Sequence, residues 1–286
     1  NQRLAWAQLQ VAKETLQNYQ RSYAFVEKQL LTGSTNVLAL EQARGVIEST
    51  RADIAKREGE LAQANNALQL LLGSYQHLPD DAASSLLDIN GVALPPALSS
   101  QILLQRPDIL EAEHGLRAAN ANIGAARAAF FPSITLTSSL SGSSADLSRL
   151  FNPASGMWNF VPKIELPIFN AGRNQANLDL AEIRQQQSVV NYEQKIQAAF
   201  KEVADALALR QSLADQISAQ QRYLASLQTT RQRARALYQH GAVSYIEVLD
   251  AERSLFTTQQ TLLDLNYARQ VNEIKLFTAL GGGWME

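Results

Sequence analysis

Few side chains in this sequence have the type and spacing that metal chemistry requires. The chain has no Cys, its three histidines are His77, His114 and His240, and its two methionines are Met157 and Met285. Protein metal sites need several such ligands at short, regular intervals. These residues are widely separated, so the sequence predicts packing or surface roles for them, with no metal site and no cofactor.

Catalytic motifs are missing from the sequence. The stretch from Gly281 to Trp284 is rich in glycine but lacks the Lys-Ser/Thr pair and the preceding strand of a phosphate-binding loop, so a helix stop explains it better. No GxSxG, HExxH or Cys-His arrangement occurs. The sequence therefore predicts that the chain is not an enzyme.

Glu247 and Asp250 are two carboxylates at the start of a predicted helix. They lie three residues apart, so their side chains share one helix face. Carboxylates at this position interact favourably with the helix dipole, and Ser244 and Glu247 have the spacing of a capping box. Judged on these residues alone, helix capping is the preferred interpretation.

Composition predicts that long helices position these residues. The 286 residues include only 14 Gly and 8 Pro, the residues that favour helices least. The 25 basic and 27 acidic residues give a net charge of -2, which excludes a strong positive electrostatic field that would attract nucleic acid. Neither Gly nor Pro occurs in the 68 residues between Gly172 and Gly241, enough for a helix of about 100 Å. No apolar run reaches the roughly 20 residues of a membrane-spanning helix.

Three columns of apolar residues recur every seven positions, which predicts lateral packing of helices as in a coiled coil. The helix predicted at Val37–Leu72 has an unbroken column, whereas Arg210 interrupts the column of the long helix and Arg269 that of a helix at Tyr245–Leu280. The column members are Leu40, Ile47, Ile54, Leu61 and Leu68, then Val189, Ile196, Val203, Ile217 and Leu224, then Val248, Leu255, Leu262 and Leu276.

An internal repeat relates two parts of the chain at an offset of 208 residues. Gly33 corresponds to Gly241 and Gly73 to Gly281, and four further positions match: Leu40 and Val248, Ala43 and Ala251, Leu68 and Leu276, Leu72 and Leu280. Each copy is predicted to be an antiparallel helical hairpin. Its glycine ends the first helix in a left-handed conformation, and Asn36 or Ser244 caps the second.

A period of two replaces the helical pattern after Pro132. Strands are predicted at Ser133–Ser141 and Met157–Phe169, joined by a loop at 142–156 into a hairpin with one apolar face. That face is formed by Ile134, Leu136, Leu140, Trp158, Phe160, Ile164, Leu166 and Ile168. Such a hairpin occurs in a sheet that covers a core or in a transmembrane β-barrel. The strand lengths, the aromatic residues and the lack of other predicted strands favour the barrel, completed by other subunits and so by an oligomer.

Four motifs resemble the TolC-like family of outer-membrane factors. They are RPDILEAEHGLRAANANIGAARAAFFPSITL, PIFNAGRNQANLDLAE, LYQHGAVSYIEVLDAE and LFTALGGGW. The runs SYAFVEKQLLTGS and NQANLDLAEIRQQQSVVNYEQKIQ resemble in particular the outer-membrane channels of copper and silver efflux systems. The resemblance extends over essentially the whole chain.

The resemblance implies a homotrimer in the bacterial outer membrane, with a β-barrel in the lipid and an α-helical tunnel in the periplasm. It implies a passive exit duct for copper or silver ions, working with a periplasmic adaptor (membrane fusion) protein and an inner-membrane proton-driven RND pump. Family members carry a further strand pair, upstream helices and often an acylated N-terminal Cys. The chain begins inside a helical pattern, so we expect it to be part of a longer protein.

The resemblance also assigns roles to individual residues. Glu247 and Asp250 match the paired carboxylates that line the periplasmic aperture, and Tyr238 matches a tyrosine that links parts of the gate. Val243 replaces the basic partner of the family's closing salt bridge. The adaptor-docking tips are the two turns, formed by Gly33, Ser34, Asn36, Gly241, Ala242 and Ser244. The apolar strand face contacts the lipid.

These expectations divide the chain into six parts. They are a hairpin at 1–73, a connector at 74–107, a helix segment at 108–132, the β-hairpin at 133–169, a long helical hairpin at 170–281 and a tail at 282–286. Three alternatives stay open: the same duct in a multidrug system, a periplasmic adaptor, or a coiled-coil scaffold. An adaptor needs extensive β segments around a single hairpin, and a scaffold leaves the alternating strands unexplained.

Overall fold

The computed structural model describes residues 1–73, 100–143, 145 and 156–282. Its α-helices and strands are α1 (Gln2–Leu31), α2 (Val37–Leu72), α3 (Pro107–Ala128), β1 (Ser133–Gly142), β2 (Gly156–Glu165), α4 (Arg173–Gln239) and α5 (Tyr245–Ala279). The predicted fold class, mainly α with a small antiparallel β part, is confirmed. None of the helices in these ranges has the length and hydropathy needed to cross a membrane.

The described residues separate into two compact units, of which the first comprises 1–73 and 202–282. It contains the α1–α2 hairpin and a second hairpin formed by the end of α4 and by α5. Its main core lies near the two turns, where α1, α2 and α5 bury apolar side chains together. The buried members are Tyr19, Val26, Ala39, Ala43, Val46, Ile47, Tyr245, Val248 and Leu249.

The seven-residue columns are buried to different extents in the two hairpins. In α5, Val248, Leu255 and Leu276 are buried, whereas in α2 only Ile47 of the column is buried and the others are half-exposed. Arg210, which interrupts the α4 column, lies opposite a carboxylate of α5. Its Nε is 2.9 Å from Oε1 of Glu273, whose side chain is 7% exposed.

The second unit comprises 100–143, 145 and 156–201 among the described residues. A 3-10 helix at Ser100–Gln105 precedes α3, and β1 pairs with β2 in an antiparallel two-stranded sheet. The rest of the predicted connector, residues 74–99, lies outside the described residues, as does most of the predicted loop at 142–156. The sheet pairing extends to the ends of that loop, because Gly142 lies opposite Gly156.

The register places most apolar residues of both strands on one face, whereas Val161 and Met157 lie on the other. Ile134 lies opposite Ile164, Leu136 opposite Pro162, Ser138 opposite Phe160 and Leu140 opposite Trp158. Successive strand residues point to opposite faces, so these eight side chains share one side and Thr135, Thr137, Ser139, Asn159 and Lys163 share the other. The six predicted apolar members of this face that lie within the strands are all exposed, from 53% for Phe160 to 84% for Leu140.

The second strand is shorter than the sequence predicts. It ends at Glu165, so the prediction that Leu166 and Ile168 belong to the strand face is wrong. Pro167 lies between them and has no N–H to donate to a ladder, which prevents regular pairing from continuing. Leu166 and Ile168 are nevertheless exposed, at 53% and 93%.

Candidate functional site

The two hairpin turns have the same backbone geometry. Gly33 and Gly241 have φ values of 69° and 70°, in the left-handed region that a residue with a Cβ adopts at a cost. Each turn closes with the two hydrogen bonds of a Schellman motif. The longer-range bond is 2.8 Å from Ser34 N to Gln29 O and 2.9 Å from Ala242 N to Leu237 O.

The two turns differ in how the following helix is capped. Oδ1 of Asn36 accepts a hydrogen bond from the N–H of Ala39 at 3.0 Å, as predicted. Ser244 occupies the N-cap of α5, but its side chain makes no capping bond. The N–H of Glu247 donates instead to the backbone carbonyl of Ser244 at 3.2 Å, so the predicted capping box is wrong.

The six predicted docking residues are exposed at the ends of the hairpins. All except Ala242 line a groove of about 640 Å³ between the two turns. Tyr238, Val243 and Tyr245 also line this groove. The fold therefore brings together two turns that are 208 residues apart in the sequence.

The two predicted aperture carboxylates are exposed in the first two turns of α5. Oδ1 of Asp250 is 3.7 Å from Nη1 of Arg253, three residues further along the same helix. The side chains of Glu247 and Asp250 share one face of α5 and carry negative charge at the positive end of the helix dipole. This arrangement attracts cations and is also compatible with simple stabilisation of the helix.

Tyr238 packs its ring between two other aromatic residues. Its ring centroid is 6.2 Å from that of Phe25 in an edge-to-face arrangement and 5.3 Å from that of Tyr245. The Tyr238 hydroxyl is buried without a hydrogen-bond partner among the described residues. The hydroxyl that reaches the first hairpin belongs to Tyr245, which donates to Oγ of Ser22 at 3.1 Å. Burial is the main cause that raises the pKa of Tyr245 to about 12.

An ion pair with a buried carboxylate, which the sequence patterns did not predict, joins α4 and α5. Nε of Arg235 is 2.8 Å from Oε1 of Glu252, and Nη2 of Arg235 contacts the same oxygen. The Glu252 side chain is only 4% exposed, and its Oε2 has no hydrogen-bond partner in the described part of the chain. Burial raises the pKa of the Glu252 carboxyl, although the charge of Arg235 opposes the shift.

A signal for Glu252 exists in the sequence. It follows Val248 by four residues and precedes Leu255 by three, so it lies on the same helix face as the apolar column. A carboxylate in an apolar stripe needs a partner once it is buried. In the described ranges, no three His, Asp or Glu side chains form a group that could hold a metal ion.

Comparison with known proteins agrees with this architecture. Residues 1–74 and 98–282 match the family model described as outer membrane efflux protein. The chain is 82% identical to the cation efflux system protein CusC of Escherichia coli O157:H7, over 100% of this chain and 62% of CusC. It is 75% identical to the probable outer membrane lipoprotein SilC of Salmonella typhimurium, also over 100% of this chain and 62% of SilC.

The fold matches a solved structure of CusC with a TM-score of 0.87 at 82% identity, covering 99% of this chain and 66% of that chain. The helical hairpins and the paired strands thus have the architecture of an outer membrane efflux protein. The chain belongs to the outer membrane efflux protein family. It spans 62% of the length of the two relatives named above.

Proposed function

We propose that the protein containing this chain is a homotrimeric exit duct in the bacterial outer membrane. It passively conducts cations from the periplasm to the outside as part of a tripartite efflux system, and it catalyses no reaction. Its partners are a periplasmic adaptor protein and an inner-membrane RND pump. The observation that carries the proposal is the exposed apolar face of β1 and β2, together with membership of the outer membrane efflux protein family.

The β-hairpin is the proposed membrane contact. Each strand has ten residues, which is the length that a tilted strand needs to cross a bilayer. Its apolar face exposes Leu140 and Trp158 by 84% and 74%, an arrangement that water disfavours and lipid stabilises. Two strands cannot close a barrel, so we propose that other strands of the trimer complete it.

The helical hairpins are the proposed tunnel wall, and their turns are the proposed docking tips. Docking at the groove between Gly33 and Gly241 requires the left-handed turns that these glycines allow. A bulky residue at Gly241 should therefore abolish efflux while the trimer still assembles. Normal efflux in a Gly241→Trp variant would contradict docking at this turn.

Copper or silver is the proposed cargo, based on the sequence resemblance and on the similarity to a cation efflux protein. The described residues offer no group of metal ligands, so transport depends on pore size and charge. Restoration of copper tolerance in cells that lack their own duct would test the cargo. Restored tolerance to organic solvents or dyes alone would favour a multidrug duct instead.

Planar-bilayer conductance of the full-length protein tests the duct itself. We expect a cation-selective pore whose selectivity falls in the Glu247→Ala plus Asp250→Ala variant, because three copies remove six carboxylates from the aperture. The matched control is Glu41→Ala plus Glu48→Ala, which removes two exposed carboxylates from the first third of α2.

The outcomes of this experiment separate the parts of the proposal. If cation selectivity changes by the same amount in both double variants, Glu247 and Asp250 have only a role in helix stabilisation. Absence of any pore in the wild type would overturn the duct and favour a coiled-coil scaffold.

A further inference from the structure

The β-hairpin carries two charged side chains, which lie close together on β2. Among the residues of β1 and β2, only Lys163 and Glu165 are charged. Nζ of Lys163 donates a hydrogen bond to Oε2 of Glu165 at 2.6 Å. Both side chains are 65% exposed, so solvent reaches the pair. One positive and one negative charge therefore cancel on this hairpin.

The ion pair lies on the polar face of the hairpin. Lys163 is opposite Thr135 and Glu165 is opposite Ser133 in the antiparallel register. Side chains alternate along a strand, so Ile164, between the two charged residues, lies on the apolar face. In the proposed barrel the apolar face contacts lipid, and the polar face with the ion pair faces the lumen.

The pair also lies at one particular end of the hairpin. Ser133 and Glu165 form the first pair of the ladder, and Gly142 and Gly156 form the last. The helix α3 precedes β1 and the helix α4 follows β2, so the ion pair is at the end of the strands that joins the helices. In the proposed duct, every exported ion passes this position before it crosses the rest of the barrel.

The ion pair has little to contribute to the stability of the hairpin. Water solvates and screens both charges of an exposed pair, which leaves little net stabilisation. The strands are held by the backbone ladder, to which the two charged groups do not belong. Removal of either charge should therefore preserve the fold and change the electrostatic field of the lumen. An unpaired carboxylate there attracts cations, and an unpaired ammonium group repels them.

We infer that Lys163 is a selectivity-determining residue of the duct: its ion pair with Glu165 keeps the lumen face of this hairpin uncharged, so that ions pass without enrichment of either sign. This inference rests on the proposed function. Conduction requires that a wall binds the ion weakly enough for it to leave. Without Lys163, the three subunits would present a ring of three unpaired carboxylates to the exported cations.

Planar-bilayer recordings of the full-length protein under a KCl gradient test the inference with two single variants. Lys163→Gln should raise the ratio of K⁺ to Cl⁻ permeability about threefold, less than in a narrow cleft because water of high dielectric constant fills the lumen. Glu165→Gln should lower the ratio by a similar factor. Both shifts should be largest near 10 mM salt and nearly vanish near 1 M, where the Debye length falls from about 30 to about 3 Å.

The matched control exchanges the two charges. Lys163→Glu plus Glu165→Lys keeps the net charge and the ion pair, so its permeability ratio should equal that of the wild type. A ratio that stays at the wild-type value in Lys163→Gln would overturn the inference. Shifts of the same sign in both single variants, or a shift in the exchanged variant as large as in Lys163→Gln, would also overturn it, because charge would not be the cause.

Introduced thiols test whether the charge acts from the lumen. This chain has no Cys, which allows one reactive position to be added at a time. Lys163→Cys should resemble Lys163→Gln, and reaction with a cationic methanethiosulfonate reagent should restore the wild-type ratio. Ile164→Cys is the matched control on the apolar face, where lipid should exclude the charged reagent. Failure of the reagent to restore selectivity at position 163, or an equal response at position 164, would contradict the lumen position of Lys163.

These recordings distinguish failure of this inference from failure of the proposed function. If the wild type forms a pore whose selectivity does not respond to Lys163→Gln, the duct stands and the role of Lys163 is overturned. If the wild type forms no pore, the duct is overturned and the role of Lys163 with it.

Discussion

The two helical hairpins share their backbone and differ in the side chains that hold it. Gly33 and Gly241 close their turns with the same pair of hydrogen bonds and nearly the same φ. The first hairpin stabilises its turn internally, through the Asn36 cap. The second hairpin instead contacts the first through the hydrogen bond that Tyr245 donates to Ser22. The two copies of the repeat thus share the glycine and the hydrogen bonds that form the turn, while the side chains around the turn differ in their contacts.

A charge pair shows the same divergence. Arg235 and Glu252 form a buried ion pair in the second hairpin, and the residues 208 positions earlier are Glu27 and Arg44, with the charges exchanged. Glu27 and Arg44 are exposed, and Arg44 lies 4.0 Å from Glu41 of its own helix. Opposite charges at these positions persist in both copies, but only the second copy buries its carboxylate.

The largest expected difference between the hairpins comes from this pair. Arg235→Ala leaves a carboxylate that is 4% exposed without its cation, which should destabilise the second hairpin by about 3 kcal/mol. This cost is at the low end of the range for buried ion pairs because water reaches the Arg235 side chain, which is 36% exposed. Hydrogen exchange of α5 should rise about a hundredfold.

Arg44→Ala is the matched variant in the first hairpin. It removes an exposed charge, so the free energy of unfolding of the first hairpin should change by no more than about 0.5 kcal/mol. Similar exchange rates in the Arg44→Ala and Arg235→Ala variants would contradict the view that burial separates the two pairs.

The turn glycines should give the next largest effect, equal in both hairpins. A Cβ built on Gly33 or Gly241 meets no atom within 4 Å, so the cost of alanine is the left-handed backbone alone, about 1–2 kcal/mol. Thermal unfolding of Gly33→Ala and Gly241→Ala in detergent measures it. A clear difference between the two variants would show that the turns are less alike than their backbones.

The helix caps should distinguish the hairpins by a smaller amount. Asn36→Ala removes a 3.0 Å capping bond and should cost about 1 kcal/mol. Ser244→Ala should cost almost nothing, because the Ser244 side chain makes no such bond. Hydrogen exchange at the first turns of α2 and α5 compares them, and a larger effect at Ser244 would reverse this order.

The smallest expected effect is a pH dependence confined to the second hairpin. Burial raises the folded-state pKa of Glu252 above its ordinary value of 4.5, so the folded protein binds this proton more tightly than the unfolded chain. The stability from this group is complete below pH 4.5 and is lost as pH rises through the raised pKa. The melting temperature should therefore fall as pH rises from 4.5 through the raised pKa of Glu252, and it should fall less in the Glu252→Gln variant. Equal slopes of melting temperature against pH in the two proteins would contradict the prediction.

Much of the fold could be predicted from local patterns. The absence of Gly and Pro predicted the long helix that the structure shows as Arg173–Gln239, and the period of two predicted both strands. The repeat predicted two turns with left-handed glycines, and Gly33 and Gly241 both have positive φ. These features depend on hydrogen bonds and periodicities within short segments, which the sequence determined by itself.

The side-chain contacts across helices were decided only by the tertiary structure. Sequence spacing predicted a capping box of Ser244 and Glu247 and extended the second strand past Pro167, and both expectations were wrong. The ion pair of Glu252 with Arg235 joins residues 17 positions apart, and the hydrogen bond of Tyr245 with Ser22 joins residues 223 positions apart. Which face of a helix becomes buried depends on the helices packed against it, so two copies of one repeated sequence pattern acquired different interiors.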